Sequence, residues 1–279
     1  MSHLSCIGFA VSDRQGFADV IGRLAALARE DLPPTTAARH LRWTDESGAS
    51  VAIHVDGHGS IDCVTPYFVV PEPARWHVRT GGPADDSDCA HCGGADCDIL
   101  DSAGEMVTRA TVQWLHYQPY RAWLAEQRDF ACEVVAFADR CAVYATSQAF
   151  EAAQESWWPG IRSSDKLRGF AEECFLPEGM FGSQGDIGAR ATAMFSGRVV
   201  SVRSLVNTMT GAPFWHVRVC SLPGMIDVVT GRPEGIPAAG SIAVVRGWLV
   251  GRPTVPPSHL PGAERLSWLK RLFTRRPYP

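Results

Sequence analysis

The sequence predicts an α+β protein in two parts, and two observations lead to this prediction. Near the start, apolar residues recur at helical spacing, and segments in which apolar and polar residues alternate follow them. From about residue 190, only alternating segments and turn residues remain, which is typical of a small antiparallel β-barrel. We therefore predict a domain with a helix on an antiparallel sheet over residues 1–186 and an antiparallel barrel over residues 187–255. A proline-rich linker and a basic amphipathic tail follow over residues 256–279.

The elements of the first part are expected in a simple order. The segment "HLSCIGFAV" is a predicted strand, and residues 12–30 form a predicted helix that Pro33 and Pro34 end. Its apolar face consists of Phe17, Val20, Ile21, Leu24 and Leu27. Alternation over residues 51–55 predicts a strand, and a turn at residues 56–59 leads to a returning strand through Cys63.

The middle of the chain is more irregular. Residues 80–105 are rich in glycine, aspartate and cysteine without periodicity, so we expect a long surface loop there. The segment "FACEVVAFADRCAVYA" predicts a hairpin, Ser147 is the expected N-cap of a helix through Gln154, and "SSDKLRGFAEECF" predicts one more helix. The strands expected in the second part are "AMFSGRVVSVRS", "APFWHVRVC", "GMIDVV" and "GSIAVVRGWLVG".

The charge is divided unevenly between the two parts. Residues 1–186 carry 14 basic and 27 acidic side chains, a net charge of −13. Residues 187–279 carry 12 basic and 3 acidic side chains, a net charge of +9. Such a contrast indicates either an external anionic partner for the basic part or attraction between the two parts when they pack.

Composition excludes several classes of protein. No run of about 18 apolar residues is present, and the first residues lack a basic segment and a cleavage site, so we expect a cytoplasmic protein. The nine cysteines are odd in number, and we expect reduced thiols rather than a disulfide framework. We find no nucleophile–base pair or phosphate-binding loop, which favours a binding or regulatory function over catalysis.

A candidate zinc site lies in the stretch "DDSDCAHCGGADCDIL". Cys89 and Cys92 have the spacing that lets one turn present two thiolates, and Cys97 adds a third. The fourth ligand that tetrahedral zinc requires would come from His91, Cys63 or His77. The alternative is an acidic loop without metal, because the second ligand pair that makes zinc motifs specific is missing.

The second part resembles an OB-type barrel in its later strands, around Gly247 and Trp248, although the helix usual between strands three and four is absent. This resemblance implies a groove that could bind single-stranded nucleic acid through arginines and stacking rings. The candidate ligand-binding residues are Arg198, Arg203, Phe214, His216, Arg218 and Arg246. The alternative is that these arginines contact solvent or the acidic part, or that the partner is an acidic protein.

The first part is similar to one module of the vicinal oxygen chelate superfamily, on "HLSCIGFAVSD" as the first strand. This resemblance implies a metal-dependent enzyme with His3 as the first ligand, His54 as a second and Glu133 in a later segment. The layout from "MSHLSCIGF" to "GWLVGR" also resembles a group of actinobacterial proteins without an assigned activity.

The tail carries a further candidate function. Its apolar stripe, formed by Leu266, Leu269, Leu272 and Phe273, lies beside basic residues, a pattern typical of peripheral membrane contact and of a helix docked on its own protein. The sequence as a whole predicts a binding or regulatory protein, with a metal-dependent enzyme as the alternative.

Overall fold

The computed structural model describes residues 3–11, 13–32, 38–86, 89, 91–126, 129–153, 170–178 and 187–254. The predicted linker and tail over residues 256–279 lie outside these described residues. The described part is α+β and consists mostly of strands in antiparallel and mixed sheets, with few helices. None of its helices is both long and apolar enough to cross a lipid bilayer.

The first described element is a 3₁₀ helix, His3–Ile7. The α-helices are α1 (Arg14–Leu27), α2 (Tyr117–Leu124), α3 (Ser147–Ala153) and α4 (Ile187–Arg190). The first strands are β1 (Arg29–Glu30), β2 (Ala38–Thr44), β3 (Ala49–Asp56), β4 (Ile61–Phe68), β5 (Arg75–Asp85), β6 (Gly93–Leu100) and β7 (Met106–Trp114). The later strands are β8 (Asp129–Tyr144), β9 (Cys174–Leu176), β10 (Thr192–Val206), β11 (Pro213–Ser221), β12 (Gly224–Thr230) and β13 (Ile242–Pro253).

A small sheet and helix α1 form where the periodicity predicts a helix and antiparallel strands. The four strands pair in the order β1-β2-β3-β4. Ile21 and Leu24 are the buried residues of α1, whereas Phe17 and Leu27 are exposed. Asp13 is the N-cap of this helix, and its carboxylate accepts a hydrogen bond from the Gly16 N–H.

The predicted first strand is wrong, because the segment folds as the 3₁₀ helix. Leu4 and Ile7 are spaced three residues apart, which places both on one face of a 3₁₀ helix, and both are buried. Gly8 ends the helix with φ at 84°, and a Cβ at this position would lie 2.8 Å from Asn207 Cβ. The apolar pattern of this segment therefore reflects helical burial rather than alternation along a strand.

The large sheet has nine strands in the order β11-β12-β8-β5-β6-β7-β13-β10-β9, with additional pairings of β10 with β11 and of β8 with β13. The additional pairings close two rings of strands. One ring runs β10-β11-β12-β8-β13, and the other runs β5-β6-β7-β13-β8. The rings share β8 and β13, and each contains one parallel pairing, β12 with β8 and β7 with β13.

The predicted surface loop over residues 80–105 is also wrong, because most of it forms β5 and β6. The glycines that suggested a loop allow close approach of other chain segments within this sheet. A Cβ on Gly93 would lie 2.3 Å from the Tyr117 ring, and one on Gly94 would lie 2.2 Å from the Val112 carbonyl oxygen. The predicted hairpin over residues 130–145 is instead the single long strand β8.

The two larger hydrophobic cores among the described residues follow from this arrangement. One lies among the strands of the large sheet and includes Val134 and Ala136 of β8. The other joins the small sheet, α1 and the 3₁₀ helix to the opposite face of the same strands, including Val135 and Phe137. Strand β8 is thus buried on both faces. The boundary at residue 186 stays a prediction, and the pairings of β8 with β12 and β13 cross it.

Ion pairs connect the basic part of the chain with the acidic part. Arg246 binds Glu178 and Asp139 at 2.8 and 3.3 Å. Other pairs of this kind among the described residues are Arg190 with Asp96, Arg198 with Glu172, and Arg252 with Glu133. Several of the C-terminal arginines therefore neutralise carboxylates of the same chain, and exposed pairs among them contribute little stability individually.

Replacing Gly94 by alanine tests the strand assignment of β6. We expect Gly94→Ala to lower the free energy of unfolding by roughly 1–3 kcal/mol, because the added methyl group meets the β7 backbone. The matched control is Gly22→Ala, at an exposed position of α1 with open space around it. That change should raise stability by about 0.5–1 kcal/mol, as measured by urea denaturation. Equal effects of the two changes would contradict the close contact.

Candidate metal centre

A cavity with many histidines and cysteines lies where the small sheet meets the large sheet. The side chains around it come from β2, β3, β4, the turn before β6, the end of β7 and the residue before α2. The lining residues are His40, Ala52, His54, Cys63, Thr65, His91, Cys92, Gln113, Trp114 and His116. Histidine nitrogens and cysteine sulfurs are the donor atoms that metal ions such as zinc bind in proteins.

Three cysteines form the first donor group of this cavity. The Sγ atoms of Cys63, Cys89 and Cys92 all lie within 4.8 Å of one another, and Cys63 Sγ is 2.9 Å from Cys92 Sγ. Cys89 and Cys92 are disulfide-bonded in this structure. The turn that carries them is closed by a hydrogen bond from the Cys92 N–H to the Cys89 carbonyl oxygen at 3.1 Å. Strand β4 and a tight turn thus bring three thiol positions together.

A second donor group consists of His54, Asp62 and His91, whose ligand atoms also lie within 4.8 Å of one another. His54 Nδ1 is 2.5 Å from Asp62 Oδ1, and His91 Nε2 is 3.0 Å from Asp62 Oδ2. The two imidazole rings are stacked with their centroids 3.9 Å apart. One carboxylate therefore contacts two imidazoles at the mouth of the cavity.

His40 and His116 extend the cluster into the protein. His40 lies opposite His54 in the β2–β3 register, and its ring centroid is 5.0 Å from that of His54 and 5.2 Å from that of His116. Burial and then the neighbouring imidazoles lower the pKa of His40 to about 3. Its Nδ1 atom is buried and has no hydrogen-bond partner among the described residues.

His116 has an unusual backbone conformation. It is the one non-glycine residue with positive φ in the described part of the chain, at 54°. Its Nε2 lies 2.9 Å from Asp31 Oδ2, and Arg42 binds the other oxygen of this carboxylate at 2.8 Å. Burial works to raise the pKa of Asp31, but the His116 hydrogen bond and the Arg42 charge outweigh it and lower the pKa. A strained residue that directs an imidazole into a cavity is typical of a functional site.

The structure separates the four predicted metal ligands. Cys89 and Cys92 lie together with Cys63, which the sequence offered as an alternative fourth ligand. His91 lies in the adjoining group with Asp62. Cys97 lies on β6 in the core of the large sheet, where it is fully buried and contacts the Ala95 carbonyl oxygen. Burial raises the pKa of the Cys97 thiol well above its usual value.

The predicted ligand-binding face on β11 is covered by other parts of the protein. Phe214 is fully buried and packs edge-on against Phe68 of β4. His216 is buried too, and its Nε2 lies 2.8 Å from Asp227 Oδ1. Arg218 donates from Nε to the same oxygen at 2.9 Å. In this structure a nucleotide base cannot stack on Phe214, because the small sheet and the 3₁₀ helix cover that face.

The other predicted arginines lie at the surface. Arg198 and Arg246 bind carboxylates of the same chain, as described above. Arg203 is exposed on β10, opposite His216 in the register. The predicted set therefore does not form one continuous exposed groove.

The residues implied by the vicinal oxygen chelate resemblance also lie apart from each other. His3 is in the 3₁₀ helix, where Nε2 is 3.1 Å from Asp139 Oδ1 and the ring contacts Trp248. Glu133 binds Arg252 at 2.8 Å. Of the three candidates, His54 alone lines the histidine and cysteine cavity.

No protein-family model matches this chain, and no curated protein is similar enough in sequence to be matched. The geometry of the cavity and its donor atoms is therefore the basis for assigning a function.

The buried carboxylate of Asp227 gives a prediction about stability and pH. Burial works to raise its pKa, but hydrogen bonds from His216 and Arg218 outweigh it and lower the pKa. Its contribution is therefore present above the unfolded value of about 3.9 and is lost as pH falls through the lowered pKa. We expect Asp227→Ala to cost about 3–5 kcal/mol of unfolding free energy at pH 7.

Urea denaturation at pH 7 and at several acidic pH values measures this effect. The difference between wild type and Asp227→Ala should shrink at the most acidic values. Asp19→Ala, an exposed change on α1, is the control and should stay within about 0.5 kcal/mol of wild type. A difference that does not depend on pH would contradict the assignment of a charged Asp227.

Proposed function

We propose that the protein is a zinc-binding protein and that Cys63, Cys89 and Cys92 hold the metal. The observation that carries this proposal is the convergence of three Sγ atoms within 4.8 Å from two separate segments of the chain. Thiolate sulfur is a preferred zinc donor, and structural zinc sites commonly use three cysteines and one further ligand. A cavity imidazole or solvent would take the fourth position.

Zinc and the Cys89–Cys92 disulfide are alternative states of the same two sulfur atoms. Zinc requires thiolates, so the metal-bound state belongs to the reduced protein. In that state the metal would join β4 of the small sheet to the turn between β5 and β6 of the large sheet. This link across the seam between the sheets supports a structural or regulatory role rather than catalysis.

We also propose that the ring β10-β11-β12-β8-β13 is OB-like. An OB-type ring pairs its strands in the order 1-2-3-5-4-1, with the third and fifth strands parallel. Taking β10, β11, β12 and β13 as strands one to four, β8 supplies the fifth, and it is parallel to β12. The fifth strand would thus come from earlier in the chain than the other four. Nucleic-acid binding is not part of the proposal, because Phe214 and His216 are buried.

A fragment experiment tests the OB-like ring. Residues 187–254 alone lack β8, so β12 and β13 would each have an unpaired edge, and we expect this fragment not to fold. Fusing residues 129–145 after residue 254 through a glycine-rich linker should restore β-sheet circular dichroism and a cooperative thermal transition. A folded fragment without the added strand would contradict the proposal and favour the domain boundary at residue 186.

The zinc proposal predicts about one tightly bound zinc ion per chain in reduced, full-length protein that has been dialysed after purification. Cys63→Ser should abolish retention of this ion, and so should the double change Cys89→Ser with Cys92→Ser. The reason is that two remaining thiolates in Cys63→Ser, or one in the double variant, hold zinc much more weakly than three. Elemental analysis by mass spectrometry, in the presence of a phosphine reductant, measures the zinc content.

Cys220→Ser is the matched control for these changes. Cys220 is a half-buried free cysteine on β11 and belongs to neither donor group. This variant should keep its zinc. Reduced wild-type protein that contains no zinc, although it was produced with zinc in the medium, would refute the proposal.

A metal-dependent enzyme is the second candidate function. The observation that favours it is the position of His54 beside Asp62 and His91 in the same cavity. Metal that survives the double cysteine change but is lost in His54→Ala would favour this candidate. Metal that is lost in the double cysteine variant but kept in His54→Ala would favour the thiol site.

A further inference from the structure

We propose that His54, Asp62 and His91 form a second divalent metal site beside the three thiols, so that the cavity holds a two-metal centre. This inference rests on the proposed zinc function and adds a site with nitrogen and oxygen donors. The ligand class is a divalent transition metal such as zinc or cobalt.

The donor atoms of this group converge on one place. His54 Nδ1 and His91 Nε2 face the two oxygens of one carboxylate at 2.5 and 3.0 Å. The three ligand atoms lie within 4.8 Å of one another, which is the arrangement of a group able to share one ion. A two-histidine, one-carboxylate set leaves coordination positions open, and catalytic and exchangeable metal sites commonly use it.

A β-bulge explains how neighbouring residues serve both donor groups. In the pairing of β3 with β4, His54 lies opposite Cys63 and Val55 lies opposite Ile61, so Asp62 is the extra residue. In a regular strand, Asp62 and Cys63 would point to opposite faces. The bulge changes the direction of one of these two side chains, so that both lie on the same side of the sheet. Bulges of this kind are concentrated next to functional sites.

An independent observation comes from His40. Its side chain lines the same cavity, it is only 4% exposed, and its Nδ1 has no hydrogen-bond partner among the described residues. A buried polar atom without a partner costs free energy, and such atoms in native proteins commonly indicate a missing ion or water. His40 lies directly behind His54, so it would complete the ligand sphere or hold a metal-bound water.

The second donor group is accessible to solvent on one side. The side chain of His54 is 7% exposed, whereas those of Asp62 and His91 are 30% and 34% exposed. The second site therefore opens to solvent on one side. We expect its metal to exchange readily, whereas the thiol-bound zinc survives dialysis.

Metal titration of reduced, full-length protein tests the inference. Dialysed wild type with about one zinc should take up about one more ion per chain from added zinc, as measured by calorimetry. Asp62→Asn should lose the added ion and keep the first. Cys63→Ser should lose the first ion, and with cobalt it should also lose most of the sulfur-to-metal charge-transfer absorption.

Two further variants make the result decisive. Asp98→Asn, a carboxylate on β6 that pairs with Arg109 away from the cavity, is the control and should bind two ions. His91→Ala repeats the test at a half-exposed side chain if Asp62→Asn does not fold, as judged by circular dichroism. If wild type binds only one ion, and this ion is lost in Cys63→Ser but kept in Asp62→Asn, the second site is refuted. The zinc proposal would then still hold. Wild type that binds no metal would overturn both.

Discussion

The pairing of β8 with β13 is the interaction on which the rest of the structure depends. It runs from Ile242 opposite Tyr144 to Pro253 opposite Cys132, and each strand belongs to both rings of the large sheet. Both faces of β8 are buried, one in each hydrophobic core. Because a buried backbone must satisfy its hydrogen bonds within the protein, this pair fixes the positions of both rings at once.

The candidate metal centre follows from this framework. The rings place the β5–β6 turn and the end of β7 on the side that the small sheet covers. The small sheet then contributes His40, His54, Asp62 and Cys63 from three neighbouring strands. Two rigid sheets thus supply the donors, with the turn carrying His91 and Cys92 between them. Sites built on strands hold their ligands more accurately than sites on loops.

Local patterns in the sequence predict those helices, strands and turns that depend mainly on local interactions. Helix α1, strands β3 and β4 of the small sheet and the four strands β10 to β13 form where the local pattern predicts a helix and strands, and the C-x2-C spacing indicates the turn. The prediction of a surface loop over residues 80–105 is wrong because its glycines serve close packing. Gly93 packs against Tyr117, and Gly94 packs against Val112. Sequence spacing does not reveal such long-range contacts. For the same reason, nothing near Cys89 indicated that His40 lies within reach of the same cavity.

The shared strands also determine the order in which the protein can fold during synthesis. Strands β5, β6 and β7 precede β8, but their ring closes only through β13, near residue 250. The ring of β10, β11 and β12 equally needs β8, which is made long before them. Neither ring is complete until almost all of the described chain has left the ribosome. Such long-range pairing slows folding and leaves strand edges exposed meanwhile. As in an intramolecular domain swap, each ring depends on a strand that lies far away in the sequence, and β13, the last described strand, completes both rings.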